Sequence, residues 1–146
     1  MERNAGRRLG GALTLTLCLS LAGCATCSDP RGGVIFSPRV DGESPDMALF
    51  RLQVAGAIAS ELAYPVEACR ANETGVAQVD LRIDRRNGAL LGVEPADSSG
   101  HPRLDDELVR AWRAVQARGM RFTLPPSLAG SDGVLMYRAA MRFSGR

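Results

Sequence analysis

Hydrophobic and polar positions change their period along the chain, and each change marks an element. In residues 47–63, MALFRLQVAGAIASELA, the positions Leu49, Leu52, Ala55 (or Gly56), Ala59 and Leu62 recur at three- and four-residue steps. That repeat predicts an amphipathic helix with this stripe turned to a core. Asp46 stands where a helix cap belongs. Tyr64-Pro65 breaks the pattern, and Pro favours a first helical turn, so PVEACRAN predicts a short second helix. From Gly75 the period drops to two. Ala77, Val79, Leu81 and Ile83 alternate with Gln78, Asp80, Arg82 and Asp84, which predicts a strand. Arg85-Arg86-Asn87-Gly88 predicts a hairpin turn, since Asn-Gly adopts positive φ easily. A second strand is expected over Ala89–Pro95, with Leu91 and Val93 on one face. After a loop at 98–102, Leu104–Arg118 has the clearest helical pattern, its stripe being Leu104, Leu108, Ala111 with Trp112, and Val115. A loop with two prolines leads to a last strand, VLMYRAAMRFS. Leu135, Tyr137, Ala139, Met141 and Phe143 lie on one face, and Arg138 and Arg142 on the other. The fold class expected is α+β: a small three-stranded antiparallel sheet packed with two to three helices.

The N-terminus follows a different logic. Arg3, Arg7 and Arg8 precede an apolar stretch from Leu9 to Ala22, interrupted by Thr14, Thr16 and Ser20. A spanning helix needs roughly 20 apolar residues, whereas a secretory signal core needs only about 7–15. Leu21-Ala22-Gly23-Cys24 resembles the bacterial lipobox, in which the signal is cut just before a Cys that then carries the lipids. The expected organisation is a lipoprotein signal peptide over 1–23, a lipidated flexible tether over 24–45 and a domain over 46–146. An uncleaved membrane anchor is the alternative. Residues 28–45 contain three Pro and three Gly. As a flexible coil they would span about 25 Å on average and about 60 Å when fully stretched.

This organisation changes the reading of the cysteines and of the charge. Cys18 would leave with the signal and Cys24 would become a thioether, so Cys27 and Cys69 remain as a possible disulfide pair in an oxidising compartment. Zinc needs about four ligands. Cys27, Cys69 and the single His101 do not make a site, and no metal or other cofactor is expected. The full chain has a formal charge of +2. Removing residues 1–23 takes away three Arg and Glu2, which leaves 15 Arg against 15 acids. Neither a nucleic-acid surface nor a basic lipid-binding patch is indicated, and acyl chains would hold the membrane instead.

The candidate chemistry is sparse. Asp97, Ser98 (or Ser99) and His101 have the residue types of a hydrolase triad. A working triad, however, holds its base between nucleophile and acid on a rigid frame, and loop neighbours are better read as a turn. Asp105, Asp106 and Glu107 are adjacent on a helix and point in different directions. Their place in a first turn suits the positive end of the helix dipole. The chain is read as non-enzymatic.

From Tyr64 onward the sequence resembles the C-terminal domain of the TonB family and shares features with TolA-like periplasmic domains. The residues that carry the match are Tyr64-Pro65, Ala68, Gly75 before the alternating strand, and Asp84 through Gly88 at the turn. Ser98-Ser99-Gly100 followed by Leu104-Asp105, then Phe122 and Pro125-Pro126, continue it in order. With the preceding helix the resemblance covers about residues 47–144. It implies a helix-bearing three-stranded antiparallel sheet. It also implies binding of a short extended peptide from an outer-membrane transporter along the last strand, with Leu135, Tyr137, Ala139 and Met141 as the edge. A terminal strand at a sheet edge can pair with an extended peptide in this way. An ordinary edge strand guarded by Arg138 and Arg142 is the plainer reading.

The departures from that family are as informative as the match. TonB-type transducers carry a membrane helix that meets a proton-driven motor, then a long Pro-rich spacer. Here the apolar run is short and ends at Cys24, and the tether is too short to cross a periplasm. Ala25, not Asp, follows Cys24, which favours the outer membrane under the enteric sorting rule. The function expected is that of a lipid-anchored protein on the periplasmic face of the outer membrane. It would bind an envelope protein or peptide as an adaptor for transport or secretion. The alternatives are an energy transducer with an uncleaved anchor and a purely structural envelope lipoprotein.

Overall fold

The computed structural model describes residues 34–36, 42 and 44–144. The signal, its cleavage point, Cys24 and Cys27 therefore lie outside the described residues. Among the described residues the elements are β1 (Val34–Phe36), α1 (Pro45–Ala59), α2 (Val66–Arg70), β2 (Gly75–Asp84), β3 (Leu90–Pro95), α3 (Pro102–Ala117) and β4 (Val134–Phe143). The architecture is α+β. Antiparallel β2, β3 and β4 form the main sheet, and β1 adds a short fourth strand, giving the order β1-β4-β2-β3. β1 falls within the 24–45 stretch expected to be a tether. Its Val-Ile-Phe run is the kind of sequence that strands favour.

The alternating strand and the last strand behave as their periods require. In β2, Ala77, Val79, Leu81 and Ile83 are buried. β4 pairs with β2 along all ten positions, from Gly75 opposite Phe143 to Asp84 opposite Val134. Its core face carries Leu135, Tyr137, Ala139, Met141 and Phe143, the last three buried. The α3 stripe of Leu104, Leu108, Ala111, Trp112 and Val115 is fully buried against the sheet. Helices on one face of a sheet make a two-layer domain around a single core.

Three expectations are corrected. The helix cap is Ser44, whose hydroxyl accepts from the N–H of Met47 over 3.3 Å, not Asp46. The buried face of α1 is Phe50, Val54 and Ile58, while Leu49 and Leu52 are 60% and 67% exposed. α1 is apolar nearly all round, so spacing alone supports two stripes, and packing selects the one that carries the aromatic ring. Phe50 meets Phe122 and Tyr137 edge-on, with ring centroids 6.0 and 5.1 Å apart. The second strand starts at Leu90 rather than Ala89, and an irregularity between Arg82 and Ile83 shifts its register. Leu90 is consequently buried and Leu91 exposed, with Val93 packed on the core. One extra residue in one strand of a pair moves the following side chain to the other face.

Candidate functional site

The outer side of β4 and the flank of α1 form the site. Phe50 pins α1 over Tyr137 of β4. Away from the sheet, α1 is tied to the chain beyond α3. The Gln53 amide accepts from the N–H of Thr123 over 2.9 Å and donates to the Thr123 carbonyl over 3.2 Å. Arg118 donates to the carbonyl of Ala57, and its guanidinium lies 2.8 Å from the Glu61 carboxylate. With α1 held there, small residues on its flank leave room beside the strand. The result is a groove of about 240 Å³ whose walls include Ala48, Leu52 and Ala55 of α1 and Ala139 and Met141 of β4. Leu52, exposed on one wall, gives the groove an apolar rim.

Of the residues expected along the edge, Ala139 and Met141 are buried, and Leu135 and Tyr137 are half-buried, packed against the core. Their side chains belong mainly to the fold. The groove lies beside the strand, whose Tyr137 and Ala140 have partners of their own. Nor is β4 a bare edge. Among the described residues, β1 pairs with its outer side at Met141, Arg142 and Phe143.

Arg138 does not face a partner along the edge. It stands directly opposite Asp80 in the register, and its guanidinium holds that carboxylate through two hydrogen bonds of 2.9 and 3.0 Å. A weaker contact reaches Asp97 at 3.4 Å. The hydrogen bonds from Arg138 lower the Asp80 pKa below the ordinary carboxylate value. The same bonds, together with the Asp80 charge, raise that of Arg138. The open face of the sheet thus carries its own ion pairs.

The residues of the TonB-like motif form a separate framework. Tyr64 is buried, its ring packs on Phe143 at 5.8 Å, and its hydroxyl donates to the Glu73 carbonyl. Burial, followed by the nearby Glu73 charge, raises the Tyr64 pKa. Pro65 caps α2. Gly75 lies against Ser99, so that a β-carbon at 75 would come within 2.5 Å of the Ser99 carbonyl oxygen. Asp105 accepts from the Ser98 hydroxyl over 2.5 Å and from the Ser99 N–H over 2.8 Å. Gly100 takes φ +87° in the same turn, and Leu104 is fully buried beneath it. Gly88 closes the hairpin with φ +69°. The hydroxyls of Ser98 and Ser99 are used within this turn: Ser99 Oγ donates to the His101 carbonyl over 3.1 Å. Sequence reasoning expected a dipole role for Asp105, and the structure adds that it ties the loop to α3.

Sequence reasoning missed the groove wall, because it assigned Leu52 and Ala55 to the core stripe. The available signal was the competing i, i+4 set of Phe50, Val54 and Ile58. Cys69, half-buried on α2, is disulfide-bonded. Cys27, the partner expected for it, lies outside the described residues. Among the described residues no helix is long and apolar enough to cross a membrane.

No family model matches the chain, and no curated protein matches it. Among solved structures the chain is similar to the one titled "The structure of HasB CTD". The two are 25% identical, with 97% of this chain and 92% of that chain covered and a TM-score of 0.42. The α+β assignment rests on the strands and helices themselves.

Proposed function

We propose that this chain is a non-enzymatic envelope lipoprotein that binds a protein or extended peptide by strand addition along β4. Lipid on Cys24 would anchor it to the periplasmic face of the outer membrane, where it would act as an adaptor for envelope transport or secretion. The observation that carries the binding reading is the groove between α1 and β4. A strand added beside β4 would gain main-chain hydrogen bonds, and alternate side chains on its inner face would meet the apolar walls at Ala48, Leu52 and Ala55. The envelope role draws on the TonB-like order of motifs from Tyr64 to Pro126 and on the L-A-G-C sequence at 21–24.

Panning a displayed library of extended peptides against the folded protein tests the binding reading. Selected peptides should carry apolar residues at alternate positions. Their affinity should fall at least about tenfold in Ala55→Arg, which fills the groove, and hold in Leu91→Arg, on the far strand β3. Binders indifferent to Ala55→Arg would sink the reading.

A further inference from the structure

Asn87-Gly88 sets a side-chain amide next to a backbone nitrogen that no β-carbon shields. Asparagine is a thermolabile residue, and in this setting it can cyclise. The Gly88 nitrogen, once it has lost its proton, attacks Cγ of Asn87. The bond from Cγ to the side-chain nitrogen breaks, and ammonia leaves. Water then opens the succinimide at either carbonyl and gives aspartate or isoaspartate. No oxidant or cofactor enters. Asn72, also exposed, is followed by Glu73, whose β-carbon stands beside the corresponding nitrogen.

The folded turn withholds the nucleophile. Asn87 is exposed, but Gly88 is buried. The Gly88 N–H donates to the Asp84 carbonyl over 2.8 Å, and the Gly88 carbonyl accepts from the N–H of Phe122. Swinging the Gly88 nitrogen toward Cγ of Asn87 breaks the first bond and disturbs the second. Asn87 Oδ1 accepts from the Ala89 N–H over 2.9 Å. That bond polarises the side-chain carbonyl and by itself favours attack, but it is of little use while the nitrogen keeps its proton and is held to Asp84. Two hydrogen bonds of ordinary net strength shift an opening equilibrium by about tenfold or more.

The isoaspartyl product has one extra atom in its main chain, because the chain then runs through Cβ and Cγ of residue 87. The turn leads straight into a seam with the chain after α3. Gly88 accepts from Phe122, Ala89 bridges Arg121, and the Leu90 N–H donates to the Met120 carbonyl over 3.1 Å. An added atom before Gly88 throws these pairs out of register.

We propose that Asn87 is a self-modification site guarded by the hairpin. It converts through the succinimide only when the turn opens, and the isoaspartyl chain no longer closes the seam between residues 88–90 and 120–122. The rate follows the fraction of molecules with the turn open. Chemical change in that state removes chains from those able to refold.

The test follows isoaspartate at residue 87 by peptide mapping during incubation in mildly alkaline buffer. The samples are the folded full chain, the full chain in guanidinium chloride, and Asp84→Ala. That substitution removes the carboxylate that accepts from the Arg86 N–H over 2.8 Å in the same turn. A synthetic peptide of residues 84–91, DRRNGALL, with and without guanidinium chloride, gives the unguarded rate and the denaturant's own effect. We expect the folded chain to convert at least about tenfold more slowly than the peptide, the denatured chain to match the peptide, and Asp84→Ala to fall between. The isoaspartyl chain, purified after denatured incubation and refolded, should show faster amide exchange at Gly88, Leu90 and Phe122 than unmodified chain taken through the same cycle. Conversion of the folded chain at the peptide's rate would overturn the guard. No conversion in the denatured chain or the peptide would overturn the site. Unchanged exchange in the refolded isoaspartyl chain would overturn the loss of the seam. Comparing folded wild type with peptide needs no substitution, so a folding defect in Asp84→Ala does not decide the result.

Discussion

The N–H of Phe122 donates to the carbonyl oxygen of Gly88 over 2.8 Å, and a β-carbon at position 88 would fall 1.8 Å from the carbonyl oxygen of Phe122. The hairpin turn after β2 and the loop after α3 are therefore in backbone contact. Gly88 has two reasons to be glycine, a φ of +69° and the absence of space.

Gly88→Ala should cost more than about 3 kcal/mol, because left-handed strain and overpacking coincide there. Gly119 has nearly the same φ, +71°, with open space around it. Gly119→Ala should cost only the conformational penalty of about 1–2 kcal/mol. Urea unfolding of both variants checks the contrast, and equal losses would contradict the close approach.

Two neighbours on α1 should separate sharply. Phe50 is fully buried and Leu52 is 67% exposed. Phe50→Ala should lose about 3–5 kcal/mol, and Leu52→Ala should stay within about 0.5 kcal/mol. Comparable losses in thermal unfolding would mean that the helix is rotated from the face described.

Asp105 should control part of the acid limb of stability. Burial alone would raise its pKa, but hydrogen bonds from Ser98 and Ser99, with the charge of His101, outweigh that effect and lower it from 3.8. A carboxyl whose folded pKa is depressed adds stability that is fully present above its unfolded value and disappears as pH falls through the folded one. The window therefore lies below about pH 4. Asp105→Asn should be less stable than wild type at neutral pH by about 1–3 kcal/mol, and the gap should close as pH falls through that window. A gap that stays constant with pH would show that the charge contributes nothing.

Arg138→Gln should release the Asp80 carboxyl, which the Arg138 hydrogen bonds hold below its ordinary pKa. The NMR titration midpoint of Asp80 should move up in the variant. An unmoved midpoint would show that the pair seen across β2 and β4 is not formed in solution.

Much of this fold is local and was legible in the chain. β2 and β4 alternate strictly because one face is buried and the other is not, and that difference is written residue by residue. α3 reads clearly because its apolar stripe is flanked by charge, so only one face can turn inward. Asn87-Gly88 marks its turn through a backbone requirement that few residue types meet. α1 is the counterexample. Leu49, Leu52, Phe50, Val54 and Ile58 are all apolar, so burial had to be decided by what lay beneath. Tyr137 and Phe122 received the Phe50 ring and left Leu52 at the rim of the groove.

The candidate site divides along the same line. Period in the chain alone was enough to identify β4, its core face and the turn at Gly88, since alternation and a positive φ are local requirements, whereas the close approaches of Gly75 to Ser99 and of Gly88 to Phe122 join segments far apart in the chain. Tertiary packing decided that α1 leaves a groove beside β4 and that Arg138 turns to Asp80. It also decided that Val34–Phe36 pairs with the end of the strand expected to stand open. These outcomes depend on contacts between segments far apart in the chain, where several partners compete for the same face or edge, and local pattern carries no term for that competition.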